Sequence, residues 1–218
     1  MINRSGKPWT RTPQTEAGAS VVEAALVLPL FVLLIFSIIE AGSMFLNLSA
    51  VRTASREGAR EASAAASSAT ADQTTLIASM KSLGQLSGSL EGIIVFKAEN
   101  VSSVVPQQCL DALATGIAGV NIAAVGTVPA IKCNVYDATK VRNPDITNFG
   151  AATSNNDPAF WDSHWAPIDR NEVLRPTSSP DYVGVFVKVK SAGATGLLPK
   201  RAMTAVNIFQ IEPQRAQE

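Results

Sequence analysis

The sequence predicts an α+β protein: a long N-terminal membrane-spanning helix, then a head built on an antiparallel sheet. Two observations carry this. Residues 24–39 read AALVLPLFVLLIFSII, without a charge, between Glu23 and Glu40. From Ile93 onward the apolar pattern changes to period two, and comparable strand signals return at 130–136, 182–190 and 203–211. Strand order cannot be read from such a pattern, but one long helix followed by four strands fits a sheet packed on a helix.

The elements can be justified in order. Residues 1–17 hold two prolines, Arg4, Lys7, Arg11 and one acid, Glu16, and no core can form from them. The uncharged run gives a helix of roughly 24 Å, and its apolar flanks take it past the roughly 30 Å of a hydrocarbon core. A core helix of a soluble domain would show a polar stripe, which is absent here. A signal peptide would have a shorter apolar run, and SMFLNLSAVRTASREGAREAS continues it in helix-forming residues without turn signals. Pro29 removes one backbone donor, tolerable in a bundle or a filament. The helix should run to about residue 66. Arg52, Arg56 and Arg60 repeat every four residues beside Glu57 and Glu61, as a solvated face with weak ion pairs or as a subunit contact. Alanines between them would let a sheet or helix approach closely.

A Ser/Thr/Ala linker at 67–75 offers Asp72 as an N-cap. Leu76, Ile77, Met80 and Leu83 then mark a second helix, ended by Gly84 or Gly88. Along 182–190, Val183, Val185, Val187 and Val189 line one face of a strand. The segment between Asp137 and Asp181 is too long for a simple connector. Its DPAFWDSHWAP stretch is an exposed aromatic contact surface, a weak cation site, or a mini-core pinning the loop to the sheet.

A basic leader ending at Gly18, with Glu23 at the fifth position after it and an apolar helix following, resembles the prepilins cut by prepilin peptidase. Reading on, Val27–Leu30 (VLPL), Glu40 with Gly42, and Arg56–Arg60 (REGAR) are similar to the TadE-like family, pseudopilins of the tight-adherence (Flp) pilus machinery. The resemblance covers about residues 18–62. It departs at Ala19, where classical pilins have Phe, and at Ala24, where many pseudopilins of this system have Tyr. It implies cleavage between Gly18 and Ala19, an assembly role for Glu23, and a pilin-like head. The implied partners are prepilin peptidase, other pilins or pseudopilins, and pilus assembly components. The implied location is the bacterial inner membrane, single-pass, with the C-terminal domain extracytoplasmic, or the pilus or cell surface.

The basic residues on the two sides of the span nearly balance, so orientation rests on that resemblance and on the cysteines. Cys109 and Cys133 both follow the span. If paired, they imply an oxidising compartment; the other reading is two reduced thiols. Zinc is disfavoured, with His164 the sole histidine and no C-x-x-C spacing. The expected organisation is a leader (1–18), a transmembrane helix with its extracytoplasmic extension (19–66), and a head (67–218). A formal net charge of zero, with 17% charged residues, argues against nucleic-acid binding. No nucleophile elbow, phosphate-cradling loop, zincin or S-x-x-K motif is present, so no catalytic residue, cofactor or metal is expected. Two functions remain open: a pseudopilin, or a membrane-anchored extracytoplasmic binding module, sensor or adhesin-like. They part at Glu23, for which a simple tether has no use.

Overall fold

The computed structural model describes residues 15–115, 132–144, 165–175, 178–196 and 199–213. Most of the leader, the start of the expected strand at 130–136, and Phe160, Trp161 and His164 of the aromatic stretch lie outside these. The chain divides into two compact units, Met1–Gly42 and Ser43–Glu218. Helix α1 (Thr15–Ala65) contributes to both and contains Pro29.

In the first unit, residues 20–39 are exposed along the whole apolar run. This is the one helix among the described residues long and apolar enough to cross a membrane, and its most apolar window buries nothing against protein. The absence of a polar stripe in the sequence accounts for this, since no side of the run is built to face water.

The second unit is α+β. Helix α2 (Ala71–Leu83) is followed by β1 (Leu90–Ala98), α3 (Gln107–Thr115), β2 (Cys133–Asp137), α4 (Ala138–Arg142), β3 (Tyr182–Ser191) and β4 (Arg201–Gln210). The four strands form one antiparallel sheet in the order β2-β1-β3-β4. The four expected strands are therefore present, within a few residues of their expected limits. Two elements had no counterpart in the sequence reading, α3 and α4, although Cys109, Ala112 and Leu113 of α3 are buried at the helical i, i+3, i+4 spacing.

Both faces of the sheet are covered. Ile93, Val95 and the four β3 valines pack with Val51, Ala54, Ala59 and Ala62 of α1 and Leu76 of α2. Ile94, Phe96, Val135 and Phe186 face the other way, toward Cys109, Ala112 and Leu113 of α3. The period-two alternation along β1 thus feeds two apolar clusters, which is why both sets of its side chains are hydrophobic. Hydroxyls on α1 also reach sheet carbonyls: Ser55 donates to Val185 O (2.7 Å) and Ser63 to Gln210 O (2.6 Å).

Small residues set the layer spacing. A Cβ at Gly58 of α1 would lie 2.2 Å from Ser79 Oγ of α2 and 3.2 Å from a Val185 methyl. At Gly184 of β3 it would lie 2.3 Å from the Phe96 ring, which stacks across that backbone. Helix α1 closes with Ala66 at φ 49°, the left-handed position usually given to glycine. Helix α2 ends at Gly84, as expected, with φ 55°. The expected N-cap is corrected: Thr70 holds that position and Asp72 lies inside α2, fully buried.

Gly184→Ala should therefore destabilise the head by about 1–3 kcal/mol through overpacking against Phe96. Gly88→Ala, where nothing lies within 4 Å of the added methyl, should leave the melting temperature nearly unchanged. Thermal denaturation of the two variants checks the contrast.

Candidate functional site

The residues singled out by the sequence fall into two groups that the structure does not bring together: the start of α1, and the interior of the head. At the start of α1, Gly18 and Glu23 are exposed, and nothing lies within 4 Å of a Cβ built on Gly18. Because α1 starts at Thr15, the Gly18–Ala19 bond lies in the opening turns of the helix. The first four backbone N–H groups of a helix have no intrahelical acceptor. A glycine there weakens the turn by roughly 1 kcal/mol relative to alanine.

Glu23 lies two helical turns into α1, immediately before the uncharged run. It makes no ion pair among the described residues. A carboxylate at the edge of an apolar helix needs either an interface or a partner, because burying it alone in hydrocarbon costs about 2.5–3.5 kcal/mol at the centre and less toward the surface.

In the head, Cys109 of α3 and Cys133 of β2 form a disulfide, with Cα atoms 6.4 Å apart. It fastens α3 over the edge strand β2. In the chain-entropy model a loop of this length is worth roughly 3.5 kcal/mol. The bond matches the paired reading of the two cysteines.

A buried polar cluster was not legible in the sequence. The Asp72 carboxylate accepts from Arg170 Nη2 through Oδ1, and from Asn134 Nδ2 (2.7 Å) and Tyr136 Oη (2.6 Å) through Oδ2. The Arg170 and Asp72 side chains are both fully buried. The guanidinium also stacks 4.3 Å over the ring of Trp165, itself fully buried, whose carbonyl accepts from Asn134 at 3.4 Å. The cluster joins α2, β2 and the 165–170 segment, so the part of the aromatic stretch that is described acts as a mini-core. One signal was available: Asp72 falls at i, i+4, i+7 and i+11 with Leu76, Ser79 and Leu83, on the face of α2 that packs inward. Asn134, Tyr136 and Arg170 carry no such mark.

The arrangement is architectural in its chemistry. The carboxylate accepts three hydrogen bonds and is fully buried. Among the described residues no group of three or more His, Cys, Asp or Glu is placed to hold a metal ion. Arg52, Arg56 and Arg60 are exposed, and Arg60 pairs with Glu57 at 3.0 Å.

Residues 18–60 match the family model described as TadE-like protein. The matched segment opens at Gly18 and ends at Arg60, the last residue of the REGAR run. No curated protein and no solved structure gives a match.

Two measurements follow from this geometry. Asp72→Ala should destabilise the head by about 3–5 kcal/mol, because it strands a buried guanidinium, whereas Asp72→Leu combined with Arg170→Met should cost clearly less than the sum of the single changes in thermal melts. Thiol labelling of unreduced, denatured protein should find Cys109 and Cys133 unreactive until reductant is added; two freely reactive thiols would contradict the bond.

Proposed function

We propose that this chain, through its TadE-like segment at residues 18–60, is a pseudopilin (minor pilin) serving assembly of a tight-adherence type IV pilus. Its role is non-enzymatic: prepilin peptidase removes residues 1–18, α1 anchors the chain in the inner membrane, and the disulfide-bonded head lies outside the cytoplasm. The observation that carries this reading is the coincidence of the family match with the residue order Gly18, Glu23, uncharged helix, REGAR. Three further features support it. The apolar run is exposed along its whole length and needs lipid or other subunits around it. The Gly18–Ala19 bond lies in the opening turns of α1. The disulfide suits an oxidising compartment. The absence of catalytic motifs from the sequence accords with a structural role.

In this reading Glu23 is the assembly residue. After cleavage, the new amino group at Ala19 stands at i, i+4 to Glu23 on its own helix, and we place the register-setting partner on the amino group of a neighbouring subunit. That pair would neutralise the carboxylate inside the bundle and set the axial register between subunits. The other reading, a binding module merely tethered by the span, is favoured by one observation: Ser43–Glu218 forms a unit with its own core.

Gly18→Val should leave the full-length chain in cells with active prepilin peptidase, where the parent chain yields an N-terminus at Ala19; intact mass and N-terminal sequencing read the outcome. Glu23→Ala should preserve cleavage and membrane level but lose co-purification with other pilus components. Unchanged co-purification would favour the tether.

A further inference from the structure

The head carries a separation of charge that its interior does not use. β4 is an edge strand, with no strand on its far side among the described residues. Beside it a groove of about 460 Å³ is bounded by Arg52, Thr53 and Arg56 of α1 and by the 204–207 stretch of β4. Arg52 and Arg56 are exposed and form no ion pair among the described residues, and no acid lines the groove. Ala205, on the α1 side of the sheet, and the exposed Val206 on the edge strand add apolar surface to its wall.

The connection from the interior strand β1 to α3 bears the complement. The loop from Glu99 to Pro106 and helix α3 contain two acids, Glu99 and Asp111, both exposed, and no Lys or Arg. Val101 and Val104 stand 68% and 81% exposed at its tip. The loop is held in shape: Ser103 Oγ accepts from the backbone N–H of Glu99 and of Asn100 (both 3.1 Å), and Asn100 Oδ1 accepts from Ser102 N–H (2.8 Å). The Cys109–Cys133 bond fixes α3 behind it. Such a fixed knob loses little conformational entropy when it docks.

We propose that the acidic, valine-tipped loop of one copy seats in the basic β4 groove of the next. Charge sign and apolar content match on the two surfaces, both of which belong to this chain. They are two different patches of one chain, so the contact is head-to-tail, and such contacts propagate into open chains unless the rotation happens to close a ring. Lipid phosphate would satisfy Arg52 and Arg56 but would leave the exposed valines without a use. The contact involves the head alone and does not depend on cleavage at Gly18.

Photo-crosslinking of the full chain in its native membrane tests this, with Thr204→p-benzoylphenylalanine as the probe. The expected product is an adduct of two copies, mapped by mass spectrometry to residues 99–111 of the second. Arg52→Glu with Arg56→Glu should lower its yield roughly tenfold by setting like charges together. Glu99→Lys with Asp111→Lys should do the same, and all four changes in one chain should restore the adduct, which a folding defect would not permit. Added salt should weaken the contact, since exposed charges are screened beyond about 10 Å at 0.1 M. An adduct to another protein or to lipid, one mapping elsewhere on the second copy, no adduct, or yields indifferent to charge reversal would each overturn the proposal. Persistence of the adduct in the uncleaved Gly18→Val chain separates this contact from the pseudopilin reading.

Discussion

The close approach of α1 to the sheet is the constraint on which the head depends. It exists because the inward side of the helix is nearly bare: Ala54, Gly58 and Ala62 leave room for β3 valines and for α2, and Gly58 has Ser79 where a side chain would have to go. The hydroxyls of Ser55 and Ser63 then come within bonding distance of sheet carbonyls, which larger neighbours would prevent. This gives the REGAR run a physical meaning. Gly58 and Ala59 face inward and permit contact, whereas Arg56 and Arg60 face outward. One short motif thus specifies both packing and surface charge, because neighbouring positions on a helix point to different sides.

With that face fixed, the rest of the head must be held by connections that the strands do not supply. Two devices do so. The disulfide binds α3 to the edge strand β2 on one face, and the Asp72–Arg170 pair binds α2, β2 and the returning loop on the other. They differ in energetic character. The disulfide acts chiefly by restricting the unfolded chain. A buried ion pair gains little net energy over apolar packing, yet removing one partner is costly, so it penalises any arrangement in which the loop docks elsewhere. The three acceptor contacts on Asp72 and the indole under Arg170 are what make that desolvation tolerable.

The end of α2 at Gly84, the four strands and the apolar span were legible in the sequence because each rests on local periodicity or on a glycine stop, whereas the start of α2 at Ala71 falls inside the expected linker. Val183 to Val189 announced a face, and the structure supplies its counterpart, α1. What was not legible depends on long-range pairing. Asp72 reads locally as a cap, and only the position of Arg170, nearly a hundred residues later, makes it a buried counterion. Strand order was hidden for the same reason: β1 sits centrally and pairs with β2 and β3, an arrangement that no local pattern encodes. Helix α3 was overlooked because its nine residues bury only Cys109, Ala112 and Leu113, too few for a clear stripe. At the start of α1 the structure adds that Gly18 and Glu23 are exposed on one helix.

The sheet of the head thus buries its apolar side chains in its own core, and the apolar part of α1 does not. Valine, leucine, isoleucine and phenylalanine side chains from Val21 to Ile39 stand largely bare, whereas comparable side chains of the sheet are buried. At about 25 cal/mol per Å² of apolar surface, leaving them in water would cost far more than a domain's net stability. Lipid removes that cost but does not distinguish one side of the helix from another. Glu23 and Glu40 do make such a distinction along the axis, because they bracket sixteen uncharged residues. A carboxylate at the edge of such a run stays near an interface or meets a cation, whereas the apolar positions between the two are equally suited to hydrocarbon.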